Sequence, residues 1–434
     1  MNKKTSLRER LMIDCAGFLV LICLSLLIRL FFLNFLLTEQ NPQKDMLDGE
    51  VPQINWAELY PFPQERKQRT NTFDYETCQS KIQEMEQFFS NLTSKGLLSY
   101  IWLVQLGHDY DALIGWNITP ITVYNNAAEI DDGYLTSFHR RVNQAEKVKS
   151  ITEFASFCKK QNIKFVYLAA PSKLAREDKV YSGKLDFANQ NEDEFLTGLK
   201  SHGILYIDLR DNIEQEGLNQ KSLFFKTDHH WLPETALWAA SEITKELDTQ
   251  NVFHGNPALL EADRFEHVVY PNIYLGSHGK KVTLARTKPE DITKLLPLFP
   301  TQFHLYIPSL GLDQRGDFSI FYDQSKLQYG DLYQTAGAYH AYLYGEQPYI
   351  SIENEQIKGN SHILMIRDSF GDTLAPFLTL EVQHLDLLDL RYFTGSVQSF
   401  VKQHHPDVVL VLYSNAEYTS PIDWKEHKDP FDFR

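Results

Sequence analysis

Four short and almost wholly apolar runs, at residues 164–170, 362–366, 385–388 and 408–412, constrain this chain more than any other feature of it. Each is too short for a buried helix and lacks the polar alternation of a strand with one wet face. Such runs belong to strands covered on both sides, and the helix-patterned segments between them supply the covering layers. A further strand is expected at 204–208. Val148, Ile151, Ala155 and Cys158 mark one face of a helix, and another helix is expected to open at Pro233, a residue suited to the first helical position. The expectation is an α/β domain with a parallel sheet between two helical layers.

The alternation breaks at about 251–359, where strand-forming residues and turns accumulate and tyrosines are dense from Tyr322 to Tyr349. This stretch reads as a β-rich insertion. Its tyrosines suit either half-buried strand surfaces or a stacking platform for sugars.

The amino terminus sets the expected compartment. Lys3, Lys4, Arg8 and Arg10 precede an almost wholly apolar run over residues 11–37, interrupted by Arg29, long enough to cross a bilayer where about 20 residues are needed. The basic flank belongs in the cytoplasm, which places the remainder outside. No small-x-small cleavage site follows the run, so an uncleaved anchor is expected. Residues 1–10 form a cytoplasmic tail, 11–37 the transmembrane anchor, 38–100 a stalk with an amphipathic helix, and 101–434 the catalytic domain with its insertion. A net charge of −15 opposes nucleic-acid binding, which depends on Lys and Arg neutralising phosphates. Four cysteines, two of them in the apolar run, make no disulfide framework.

Two segments carry chemistry. In Thr227-Asp228-His229-His230-Trp231, just before the helix at Pro233, an extended backbone would turn residues i and i+2 to one side. Asp228 can then accept a hydrogen bond from His230 Nδ1 and leave Nε2 as a base, with His229 directed away. Trp231 would wall the pocket or pack under the helix. In Arg367-Asp368-Ser369-Phe370-Gly371, an apolar strand ends in a polar turn and a helical pattern follows. That places Ser369 near a helix N-terminus, where backbone N–H groups favour developing negative charge; Asp-Ser before a helix is also an ordinary cap. Asn415, Arg391, Trp231 and Arg367 are the further oxyanion or substrate candidates.

The Asp228-His229-His230-Trp231 segment resembles the eponymous motif of the DHHW proteins. The longer stretch from Phe225 to Pro233 is similar to the Asp-x-His-Trp block of the SGNH-hydrolase-like alginate O-acetyltransferases. Ala170-Pro171-Ser172-Lys173, Asp368-Ser369-Phe370 and Asp389-Leu390-Arg391-Tyr392 extend the resemblance, in order, over roughly residues 100–415. Arg367 departs from the Gly that such proteins often carry before Asp-Ser. The resemblance implies a three-layer αβα SGNH-like domain with a triad of Asp228, His230 and Ser369. It also implies O-acylation, by acetyl above all, of a cell-envelope polysaccharide alongside a membrane-bound O-acyltransferase that supplies the acyl group, with no cofactor. A carbohydrate esterase or deacetylase with the same triad, and a non-catalytic polysaccharide-binding scaffold subunit, are the alternatives. A metal site at Asp228, His229 and His230, with His404 or His405 as a further ligand, would need adjacent histidines to converge, and no HExxH or CxxC pattern accompanies it.

Overall fold

The computed structural model describes residues 123–124, 127–178, 186–284, 286–333, 337–359, 362–414 and 429–434. The tail, the apolar run, the stalk with its helix, and Asn415 lie outside them. Among the described residues no helix is long and apolar enough to cross a membrane.

A small antiparallel sheet comes first, from β1 (Val123–Tyr124), β2 (Ala127–Glu129) and β3 (Leu135–Thr136). Helix α1 (Ala145–Lys160) then leads into β4 (Lys164–Ala170), α2 (Ala188–Ser201), β5 (Tyr206–Asp208), α3 (Leu209–Glu216) and α4 (Pro233–Thr249). Pro233 occupies the start of α4, where its missing N–H would have had no partner within the helix. The segment read as an insertion supplies β6 (Phe265–Tyr274), α5 (Ser277–Val282), β7 (Glu290–Pro297), β8 (Phe303–Ile307), β9 (Leu312–Gly316) and β10 (Tyr349–Asn354). The chain closes with β11 (His362–Arg367), α6 (Gly371–Leu378), β12 (His384–Leu388), α7 (Val397–His404) and β13 (Val408–Ser414).

The main sheet has eight strands in the order β5-β4-β13-β11-β12-β10-β8-β9. The first five run parallel, and β10, β8 and β9 extend them antiparallel. The sheet is therefore mixed, where the apolar runs alone predict a parallel one. For the pair at the outer edge the physical reason is the connection length. Strands β8 and β9 are joined only by the turn at Pro308–Leu310 and by Gly311, whose φ of +62° is open to glycine, and so short a link permits only antiparallel pairing. The insertion thus covers the edge of β12 and leaves only β6 and β7 as a separate hairpin.

Alternate residues of the central strands divide between two cores. Val166, Leu168, Met365, Leu410 and Leu412 pack with α4 and α6, while Tyr167, Ala169, Ile366, Val409 and Val411 pack with α1, α2 and α7. This period-two division is what a doubly covered sheet requires. Cys158 lies in the second core as a free thiol, and burial pushes it up to about 12.

Candidate active site

The site forms where β11 ends. Beyond Arg367 the chain turns through Asp368 and Ser369 into α6, and Asp368 holds the turn with both carboxylate oxygens. One accepts the Phe370 N–H at 3.0 Å and the other the Ser414 N–H at 2.7 Å, which ties the turn to the end of β13. Gly371 is needed because a Cβ there would lie 2.8 Å from Cβ and Cγ of Arg367. Ser369 is buried immediately before α6, where the N-terminal N–H groups and the helix dipole favour an anion.

The opposing loop, 224–231, doubles back on itself. Phe224 bridges Trp231, and the Phe225 N–H donates to the His230 carbonyl at 3.1 Å. Glu290 clamps its rim, accepting from the N–H groups of Lys226 and Thr227 at 2.7 and 2.6 Å and from the Thr227 hydroxyl at 2.5 Å. The start of α5 closes on it from above. Gly276 N–H donates to the Thr227 hydroxyl at 2.9 Å, and Ser277 N–H donates to Asp228 Oδ2 at 2.5 Å. No larger residue fits at 276, since a Cβ would stand 2.4 Å from that of Asp228.

These restraints align three side chains. Asp228 Oδ1 accepts the His230 backbone N–H at 3.0 Å and lies 2.5 Å from His230 Nδ1. His230 Nε2 lies 2.7 Å from Ser369 Oγ. Burial alone would raise the Asp228 carboxyl, but the adjoining imidazoles of His229 and His230 and the hydrogen bond from His230 outweigh it and hold the group well below its usual range. A carboxylate at Nδ1 requires the proton there and leaves the Nε2 lone pair facing the serine hydroxyl. Such an array can take the proton from an attacking hydroxyl and return it to a leaving group.

The bend changes one expectation. His229 is not directed away; its ring lies 3.8 Å from that of His230, centroid to centroid, and its Nδ1 is 3.4 Å from Asp228 Oδ1. The i, i+2 rule fails because the loop is not extended here. Asp228, His229 and His230 consequently present converging donor atoms of the kind that hold a metal. The 2.5 Å between His230 Nδ1 and Asp228 Oδ1 nevertheless describes a hydrogen bond, since two ligands on one tetrahedral zinc stand about 3.3 Å apart for bonds of about 2.0 Å.

Of the other sequence candidates, Trp231 is fully buried and donates its Nε1–H to the Thr373 hydroxyl at 2.7 Å, bracing α6 from below. Arg367 is also fully buried, 2.7 Å from Asp372. Arg391 grips Asp389 with Nε and Nη2 at 2.9 and 2.6 Å. Trp231 thus packs under the helix, one of the two places the sequence left open for it, Arg367 lies beneath the nucleophile turn, and Arg391 is a partly buried ion pair with Asp389.

Two further residues, Tyr339 and Lys173, support the triad in ways the sequence did not foresee. Tyr339 stacks its ring on the His230 imidazole at 3.9 Å and 15°, and its hydroxyl donates to the Ser369 carbonyl at 3.1 Å. It and Tyr342 are buried, so these tyrosines of the insertion are core and not a sugar platform. Lys173, beyond β4, donates to the Asp228 carbonyl at 2.5 Å and also to the Leu135 carbonyl. Burial pushes its ammonium down to about 7 against the pull of Asp228 and Glu290. The unfolded chain keeps that proton up to about 10.4. Between pH 7 and 10 the folded state therefore binds fewer protons, and this group's contribution to stability rises with pH. In Lys173→Met that contribution vanishes. The stability difference between wild type and variant, from denaturant melts, should grow in favour of wild type from pH 7 to 10. Ester turnover should also fall about 10–100-fold as the Asp228 loop shifts.

The three-layer α/β fold, with a Ser-His-Asp array at the ends of its strands, is an SGNH-like fold. Residues 130–268 match the family model of the SGNH hydrolase-like domain of the acetyltransferase AlgX, and the chain resembles the proteins of that group. No curated protein matches the chain. Among solved structures, PatB1 of Bacillus cereus, determined with a sulfonyl adduct, aligns with a TM-score of 0.57 and 21% identity, over 72% of this chain and 98% of that one. A DHHW family protein of Eubacterium siraeum aligns with a TM-score of 0.55 and 17% identity, over 70% and 95%. The O-acetyltransferase domain of Pseudomonas putida AlgJ aligns at 0.41 and 13% identity, over 70% and 94%.

Proposed function

We propose that this chain is a serine O-acyltransferase that works outside the cytoplasm on a cell-envelope polysaccharide or exopolysaccharide. The observation that carries the reading is the 2.7 Å approach of His230 Nε2 to Ser369 Oγ at the N-terminus of α6. In the proposed reaction, Ser369 Oγ attacks the acyl carbonyl carbon while His230 Nε2 takes its proton. The oxyanion meets the Ser369 backbone N–H, and His230 returns the proton to the departing group. An acyl-Ser369 ester remains. A sugar hydroxyl then attacks it, again losing its proton to His230; the new ester leaves and the serine recovers its proton. The acyl group, acetyl in this reading, comes from a membrane-bound O-acyltransferase. Lys3, Lys4, Arg8 and Arg10 and the apolar run 11–37 support a single-pass anchor with the catalytic domain outside.

The match to the SGNH hydrolase-like domain of an acetyltransferase supports acyl chemistry. The sulfonyl adduct on PatB1 suggests the reagent for a test. Intact-mass measurement after exposure to a sulfonyl fluoride, or to an activated acetyl ester, should show one adduct mapping to Ser369. With the acetyl adduct in place, an oligosaccharide acceptor should receive the group faster than water at about 55 M does, because positioning supplies effective molarities far above that. If no adduct forms, the enzymatic reading gives way to a scaffold. If the adduct only hydrolyses whatever glycan is offered, the chain is an esterase.

A further inference from the structure

At the opposite end of β11 from Ser369, the N-terminal edge of the parallel sheet carries a second cluster of histidines. His362 and His384 open β11 and β12 and are direct neighbours in the register of that pair. Two residues on, Asp386 is fully buried. Three imidazoles converge on its carboxylate. His362 Nε2 stands 2.9 Å from Oδ2, His404 Nδ1 3.3 Å from Oδ2, and His384 Nε2 3.2 Å from Oδ1. The Tyr349 hydroxyl, from β10, donates to Oδ1 at 2.9 Å and orients the group. His404 is held in place by stacking on Phe400, one turn earlier on α7, at 3.9 Å and 9°.

We propose that His362, His384 and Asp386, whose donor atoms all lie within 4.8 Å of one another, form a binding site for a divalent transition metal of the zinc type, and that His404, 3.3 Å from the same carboxylate, swings in as the fourth ligand and fastens α7 to the edge of the sheet. Zinc takes four nitrogen or oxygen ligands at about 2.0–2.1 Å, which sets them about 3.3 Å apart. The separations of the imidazoles from the Asp386 oxygens, 2.9, 3.2 and 3.3 Å, come within about 0.4 Å of that figure, and rotamer shifts would bring the imidazoles themselves, with donor atoms of His362 and His384 within 4.8 Å, around a cation. The rings of His362 and His384 lie 4.5 Å apart at 84°, an arrangement that lets both point their Nε2 atoms to one centre without stacking. Tyr349 then plays the part of an outer hydrogen bond that fixes a ligating carboxylate. Three imidazoles and one carboxylate suit zinc or its neighbours and not calcium or magnesium, which take oxygen ligands.

The site is independent of the triad, because β11 from His362 to Arg367 spans roughly 16 Å at about 3.3 Å per residue. It is also open to solvent. His384 is shared with a cavity of about 390 Å³ whose other walls are His304, Tyr306, Asp313, Ser351 and Glu353. Metal can therefore enter without unfolding.

The test uses the purified full chain, stripped with a chelator and titrated with zinc chloride in a calorimeter. The expected result is one equivalent bound with Kd near or below about 1 μM and a melting temperature that rises with zinc. His384→Gln combined with His404→Gln should weaken binding at least about 100-fold while ester turnover stays at the wild-type level, which also shows that the variant folds. His404→Gln alone, on a helix surface, should weaken it by a smaller factor. Absence of zinc binding by the wild type at 100 μM, or binding unchanged in the double variant, overturns the proposal. So does zinc that is lost in His229→Gln and retained in the double variant, since the metal would then sit at the triad.

Discussion

Ser369→Ala should reduce turnover of a small acetyl ester by about 10³–10⁶-fold, and His230→Ala should match it. The two losses should be similar in size because the groups act as a unit. Without the hydroxyl there is no acyl acceptor, and without Nε2 at 2.7 Å the hydroxyl keeps its proton. Residual activity should be the same in both variants and in the double variant. His229→Ala provides the contrast. Its ring packs on His230, but the Asp228-to-His230 and His230-to-Ser369 hydrogen bonds do not pass through it, so turnover should stay within about tenfold. Steady-state kinetics on the wild type and the four variants, with thermal melts to show folding, decide the matter. A His229→Ala loss as large as that of His230→Ala, together with metal in the wild type, would replace the triad by a metal centre.

The sequence made some of this legible and concealed the rest for identifiable reasons. Strands buried on both faces announce themselves locally, because Phe165-Val166-Tyr167-Leu168 and Val408-Val409-Leu410-Val411 have no polar face to show. The antiparallel extension does not. Strands β8 and β10 alternate in burial, Leu305 and Ile352 inward against Tyr306 and Ser351 outward, as a strand of any half-covered sheet would. Nothing in that pattern names the edge of β12 as the partner, since pairing is a long-range choice. The site divides similarly. Asp228 and His230 stand close enough in sequence for their hydrogen bond to be foreseen, but the placement of His229 depends on a bend whose cause lies in Glu290 and Gly276, some fifty to sixty residues away. Tyr339, which packs on the histidine, is more than a hundred residues from it and sits among tyrosines of the same surroundings. The cluster around Asp386 gave still less signal. His362, His384 and His404 are separated by about twenty residues each, and only the parallel register of β11 and β12 brings the first two side by side.

Asp228→Asn should be nearly as damaging as loss of the base, with a decrease in turnover of about 10⁴-fold while the fold persists. The carboxylate is wholly an acceptor here. Oδ1 faces both the His230 N–H and Nδ1, and Oδ2 faces the Ser277 N–H. An amide of the same shape must put its NH₂ at one of these places. Turned towards His230, the amide donates to Nδ1 and drives the ring proton to Nε2, where the imidazole can no longer accept from Ser369. Turned towards Ser277, it sets two donors against each other, which loosens α5 from the 226–228 loop and misplaces the histidine. Either arrangement removes about 5 kcal/mol of transition-state stabilisation at about 1.36 kcal/mol per decade. The kinetic signature should be a fall in kcat with little change in KM, because Asp228 acts on the reacting proton and not on substrate binding. A loss below tenfold would mean that the buried carboxylate serves only to hold the loop, and Tyr339, stacked at 3.9 Å, would then be the group that orients the imidazole.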